Sequence, residues 1–223
     1  MKLSQSIIAS ALALLSVGAN AAPNLLLNGS FESGLEGWST TTNAARDPVR
    51  LLTYATSSAN ASYAESAYGE QVFADNSASL SSDAAGAKGV YFVADHASET
   101  LSRTFNVTTA GIYSVGFSTY APANGLKNAG SASFAATIDT NSIFTTQIGK
   151  PSQTWQAQAG TLNLAAGEHT VQFSFNSAKG AAKDIVIDRV YVAAVPEPET
   201  YAMLLAGLGL MGVIARRRKE QQS

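Results

Sequence analysis

Period-two hydrophobic alternation constrains this chain more than any other feature. Leu101, Phe105 and Val107 interleave with Ser102, Thr104 and Asn106, and Tyr113, Val115 and Phe117 with Ser114, Gly116 and Ser118. Val171, Phe173 and Phe175 interleave with Gln172 and Ser174 in the same way. Successive side chains of a strand point to opposite faces, so this pattern buries one face and wets the other. Thr109-Ala110-Gly111 and Ala165-Ala166-Gly167-Glu168 put turn chemistry just before two of these runs. Further strands are expected at Ala132–Ile138, Ile143–Ile148, Gln156–Leu164 and Ile185–Val192. Between the termini no long stretch carries a helical stripe. Many short strands parted by small-residue turns predict an all-β fold, an antiparallel jelly-roll-like β-sandwich.

The two ends follow other rules. Lys2 precedes an apolar run from Ile7 to Val17, and Ala19-Asn20-Ala21 closes it. A positive charge, a short apolar stretch and an A-x-A triplet make a secretory signal. Residues 1–21 are therefore expected to be a signal helix, cleaved after Ala21 or one residue later. At the other end, Val195-Pro196-Glu197-Pro198-Glu199 leads into the uncharged run Tyr201–Ala215, and Arg216-Arg217-Arg218-Lys219 follows at once. A helix over 201–215 would rise about 22 Å, short of the roughly 30 Å hydrocarbon core, so a transmembrane helix here would need snorkelling or local thinning. The basic cluster would stay on the cytoplasmic side, with the body exported across the inner membrane. The two prolines hold the backbone extended and remove two amide donors, which leaves the segment open to a processing enzyme.

Pro196-Glu197-Pro198, a Gly- and Leu-rich apolar helix and the cluster Arg216, Arg217, Arg218 resemble, in that order, the PEP-CTERM protein-sorting signal. The same segment also goes by the label ice-binding-protein C-terminal domain, which implies no ice binding. The resemblance covers 196–223. It implies exosortase as the partner that recognises and processes the tail. It also implies a destination at the cell surface or in an extracellular polysaccharide matrix.

The body, 22–195, keeps nine Lys and Arg against 13 Asp and Glu, a net charge of about −4, with no block of one sign. Nucleic acid is excluded as the main partner, because phosphate binding needs a basic footprint. With no cysteine in the chain, disulfide scaffolds, thiol catalysis and cysteine-ligated zinc are excluded too. Asn24-Leu25-Leu26-Leu27-Asn28-Gly29-Ser30-Phe31-Glu32, then Gly37-Trp38, look like the opening of galactose-binding-like jelly rolls, including carbohydrate-binding modules of the 4/9/22 type. Ile187-Asp188-Arg189-Val190 resembles their closing strand. The resemblance implies that the first and last strands lie side by side. It also implies a structural calcium ion on Glu32 and Asp188, since calcium takes oxygen ligands. The competing reading has Glu32 capping a turn and Asp188 pairing with Arg189 or Lys183.

For glycan contact the candidates are aromatics on an exposed face, above all Tyr54, Tyr68 and Trp155, whose flat rings suit sugar C–H surfaces. Trp38 reads better as core. Catalytic constellations are scarce. His96 and His169 belong to no H-E-x-x-H motif, and no G-x-S-x-G elbow occurs. His169 reads as a residue entering a strand after a turn, and His96 as a surface or loop residue. Carboxylate pairs such as Asp184 with Asp188 would need a measured separation across a cleft to act on glycosidic bonds. The leading reading is thus an exported, non-enzymatic surface or matrix protein associated with polysaccharide. A carbohydrate-binding module with a defined sugar, and a polysaccharide hydrolase, are the alternatives.

Overall fold

The computed structural model describes residues 22–43, 48–54, 70–122, 132–148, 153–177, 184–196, 205–212 and 217–218. Ten strands follow in chain order: β1 (Ser39–Thr42), β2 (Arg50–Thr53), β3 (Lys88–Phe92), β4 (Ser98–Val107), β5 (Gly111–Tyr120), β6 (Ala132–Ile138), β7 (Asn141–Gln147), β8 (Gln156–Leu164), β9 (Gly167–Ser177) and β10 (Ile185–Ala194). They form two antiparallel five-stranded sheets, β1-β4-β9-β6-β7 and β2-β3-β10-β5-β8, which we call the first and second sheets. The expected strands at 132–138 and 156–164 match β6 and β8, and the expected 143–148 and 185–192 become β7 and β10. The all-β sandwich read from the sequence is the fold observed.

The alternating residues meet between the sheets. Leu101, Phe105, Phe173, Phe175 and Phe134 of the first sheet pack against Val90, Phe92, Val115, Phe117, Ile185 and Ile187 of the second. Phe117 and Phe173 cross the gap edge to face at 5.0 Å, and Phe92 meets Phe134 at 5.4 Å. Trp38 belongs to this core, with its ring 5.1 Å from Phe31.

The opening segment lies beside the closing strand. Leu25 N–H donates to Val192 O at 2.8 Å, and Val190 N–H donates to Gly29 O at 2.9 Å. Asn24 adds its side chain, accepting from Val192 N–H and donating to Val190 O. β10 therefore has β5 along one edge, with β3 and then the opening segment sharing the other. The approach requires a glycine at position 29, because a Cβ there would stand 2.0 Å from Val190 O. The junction falls at a break in the β10 register between Asp188 and Tyr191, where Arg189 adopts φ 50°. An extra residue at such a bulge re-aims the side chains around it.

Candidate functional site

The outward faces of the two sheets differ in kind. On the first sheet, register aligns three rows across the strands. One is Thr41, Thr100, Ser174, Ala135 and Thr145; the next is Ser39, Ser102, Gln172, Thr137 and Ser142. The third is Ser98, Asn176, Ser133 and Gln147. These side chains are exposed or half-buried, and none is charged or aromatic. Some already bond one another, as Thr41 with Thr100 (2.6 Å) and Gln172 with Ser174 (3.2 Å). Hydroxyls and amides each both donate and accept, so the face offers both kinds of partner along every row.

The second sheet is covered over β3, β10 and the end of β5. An extended strap over 70–87, without regular structure except a bridge at Glu70, lies across it. Beneath is a second apolar cluster of Leu52, Tyr54, Val72, Tyr91, Val93, Tyr120, Trp155 and Val186. The indole N–H of Trp155 donates to Phe73 O at 2.8 Å, and Tyr120 O–H donates to Glu70 at 2.9 Å. Ser77 Oγ meets Ser118 Oγ at 2.8 Å. The Arg189 guanidinium reaches Asp83 O (3.2 Å), Ser81 O (3.4 Å) and the Asp75 carboxylate (3.7 Å). One arginine thus fastens the strap at three points.

Two carboxyls are fully buried here, Asp184 just before β10 accepting from Tyr91 O–H and Asp188 within β10 from Tyr54 O–H (2.8 Å). Burial pushes Asp184 up to about 7, against the lowering effect of its tyrosine. It pushes Asp188 up to about 8, with Asp75 and Glu32 adding to the rise against the bonds from Tyr54 and Arg189 N–H. Burial and the neighbouring carboxyls raise the Tyr54 phenol as well. Burial thus favours the protonated forms of Asp188 and Tyr54 at neutral pH, and both carboxyls are shielded from solvent.

The closing segment carries the deciding observation. Residues 194–219 match the PEP-CTERM protein-sorting motif. The tail is a PEP-CTERM sorting signal. Within the motif Pro196, Arg217 and Arg218 are described, while Glu197, Pro198 and Arg216 lie outside the described residues. So does the expected signal peptide with Ala19 and Ala21. Of the expected transmembrane helix over 201–215, the described part is helical over 205–212, about 12 Å at 1.5 Å per residue. Among the described residues no helix is long and apolar enough to cross a membrane.

The body resembles solved carbohydrate-binding modules. TmCBM61, solved in complex with β-1,4-galactotriose, superposes with TM-score 0.50 and 18% identity over 78% of this chain and 100% of the module. A family 16 carbohydrate-binding module gives 0.40 and 14% over 77% and 100%. The K3 adhesin domain of Lys-gingipain from Porphyromonas gingivalis w83 gives 0.46 and 15% over 76% and 99%. At these identities the likeness extends to the fold. No curated protein matches the sequence.

The residues singled out for glycan contact take other places. Tyr54 and Trp155 were expected on an exposed face; they are 5% and 6% exposed, edge to face at 5.7 Å inside the second cluster. The strap covers them, and nothing in a Ser- and Ala-rich stretch announces that it will. Tyr68 lies outside the described residues. His169 enters β9 as expected, its two ring nitrogens on Asp139 (2.7 Å) and Ala165 O (2.9 Å). These two acceptors raise its pKa. His96 is exposed in a turn.

The structure also bears on the calcium ion that the resemblance implies. Glu32 Oε1 accepts from the amides of Ala87 and Lys88, each at 2.8 Å, and the Lys88 ammonium takes the Glu32 carbonyl at 2.8 Å. Both Asp188 oxygens are bonded, one to Tyr54 and one to Arg189 N–H at 2.6 Å. Calcium needs six or more oxygens turned inward. Here N–H and O–H donors already engage one Glu32 carboxylate oxygen and both Asp188 oxygens, and the Lys88 ammonium sits on the Glu32 carbonyl. Among the described residues no three of His, Asp and Glu are grouped to hold a metal. The donor set does not fit the ion.

The hydroxyl face of the first sheet escaped sequence reasoning. Its signal was present in the polar half of each alternation, Ser102, Thr104, Gln172 and Ser174, which reads on its own as ordinary solvent-facing filler.

Proposed function

We propose that this chain is an exported, non-enzymatic surface or matrix protein, processed at its tail by exosortase, that associates with neutral extracellular polysaccharide. The hydroxyl face of the first sheet makes the contact. The sorting signal supports the destination, and the three aligned rows of uncharged hydroxyl and amide side chains carry the binding assignment. A neutral glycan presents hydroxyls at a regular repeat. A regular, uncharged array can exchange hydrogen bonds with it, directly or through water, without desolvating an unpaired charge. The burial of Tyr54 and Trp155 favours this broad contact over a module that stacks a defined sugar on those two rings.

Affinity electrophoresis of the purified chain through gels containing neutral or acidic polysaccharide tests the assignment. Retardation is expected with the neutral polymer, and Thr100→Lys with Ser174→Glu should abolish it while the melting temperature holds. Equal retardation of wild type and variant would overturn the assignment to this face. Mass spectrometry of the protein from its host tests the tail: an exported form that retains Arg216–Ser223 would overturn processing.

A further inference from the structure

Each of the two sheets has two edges, and an unpaired edge invites another strand unless something blunts it. Three of the four are blunted. β1 and β2 are four residues each, and β2 begins with Arg50. The β6–β7 pairing shifts register between Ala136 and Thr137, and a bulge of this kind twists an edge away from a flat partner.

β8 has none of these devices. It runs nine residues, Gln156–Leu164, in unbroken register with β5 from Thr119–Gln156 to Gly111–Leu164. It contains no charge and no proline. Ala157, Ala159, Gly160, Thr161 and Asn163 are exposed, and at Gly160 the exposed surface is backbone itself. Among the described residues β8 pairs with β5 alone.

We propose that β8 is a self-association edge, where two copies of this chain pair strand to strand about a two-fold axis at Gly160. A row of free N–H and C=O groups is recognised by another extended strand. The sequence suits that strand being β8 itself. In antiparallel pairing centred on Gly160, Ala159 faces Thr161 of the second copy, Gln158 faces Leu162, and Ala157 faces Asn163. No pair places like charges opposite each other, and inward-facing residues meet inward-facing ones. Such a contact is isologous and closes at two copies, joining two five-stranded sheets into one. It leaves the hydroxyl faces of both first sheets free, so the dimer would be bivalent toward a polymer.

The absence of cysteine makes the test direct. A Cβ built at Gly160 meets nothing within 4 Å, so Gly160→Cys is tolerated in the fold. Residues opposed in an antiparallel pair have Cα atoms about 4.5–5.5 Å apart, within the range of about 4.4–6.8 Å that a disulfide spans. On mild oxidation the full-length Gly160→Cys chain should give a reducible covalent dimer, and Gln172→Cys on the first sheet should not. In sedimentation velocity the wild type should shift from monomer to dimer as concentration rises. A159K/T161K should remain monomeric at the same concentrations, and mixing it with A159E/T161E should restore the dimer. That rescue also shows that both variants are folded. A wild type that stays monomeric throughout would overturn the proposal. So would a lysine variant that associates like wild type, which would place the contact elsewhere on the chain.

Discussion

The two sheets are built from the same alternation, yet their outer faces have opposite fates. On the first sheet the three aligned outward rows are Ser, Thr, Asn and Gln with one Ala, and they stay in contact with solvent. On the second they include Tyr91, Val186, Asp188 and Tyr120, and a strap without regular structure buries them. Alternation decides that one face of a strand goes inward; it says nothing about whether the other face stays outside. Composition of the outer face decides that. Three tyrosines, a tryptophan and two carboxyls need a cover with matching polar partners, and the strap supplies Glu70, Asp75, Ser77 and backbone carbonyls.

The widest gap between the faces should appear in stability. Trp155→Ala removes a ring packed against Tyr54 and Tyr120 and the bond to Phe73 O. Truncating a buried aromatic costs about 3–5 kcal/mol. Gln172→Ala on the open face should stay within about 0.5 kcal/mol. Urea denaturation of the two variants checks the contrast. Similar midpoints would mean that the strap packs no real core.

The covered face should also make stability depend on pH in an unusual direction. Asp184 and Asp188 have folded values of about 7 and about 8, against about 4 in an unfolded chain. Between these limits the folded state keeps protons that the unfolded chain has released, so stability falls as pH rises. The contribution is fully present below about pH 4 and is lost by about pH 8. Melting temperatures across pH 4–9 should decline over that window. Asp188→Asn, which preserves shape and an acceptor for Arg189 N–H, should make the decline shallower. A variant slope equal to that of wild type would exclude Asp188 as its source.

β4, β5 and β9 were legible because apolar and polar residues alternate along their sequence, and β6, β7, β8 and most of β10 were legible as short β-branched or alternating runs. β3 escaped because Gly89, Val90, Tyr91 and Phe92 are all buried, which erases period-two contrast. β1, Ser-Thr-Thr-Thr, escaped for the opposite reason, since all four residues are exposed. Tyr54 and Trp155 were read as exposed because their cover lies in a stretch poor in large apolar residues. Val72 is the strap's one apolar member of the second cluster, while Phe73 and Leu80 point outward, 61% and 65% exposed. The sorting tail was legible because its proline pair, apolar run and arginines stand in one short order and need no tertiary context.

The fastening of the strap gives the finest test of the comparison. Arg189 sits where the closing strand breaks register, and its guanidinium faces a buried carboxylate and two carbonyls of the strap. Lys88, on the neighbouring β3, takes the Glu32 carbonyl of the opening segment. Protein cations thus stand among the oxygens that an ion between the first and last strands would need. Arg189→Gln removes charge-assisted bonds and leaves the Asp75 carboxyl buried without its cation, a loss of about 1–3 kcal/mol. The effect should be confined to the covered face, leaving polysaccharide retention by the first sheet unchanged. Millimolar calcium or a chelator should leave the wild-type melting temperature where it was, because protein donors already engage one Glu32 carboxylate oxygen and both Asp188 oxygens. A rise of several degrees with calcium would mean that Lys88 and Arg189 yield to the ion, and that the strap is held by a metal rather than by the chain's own arginine.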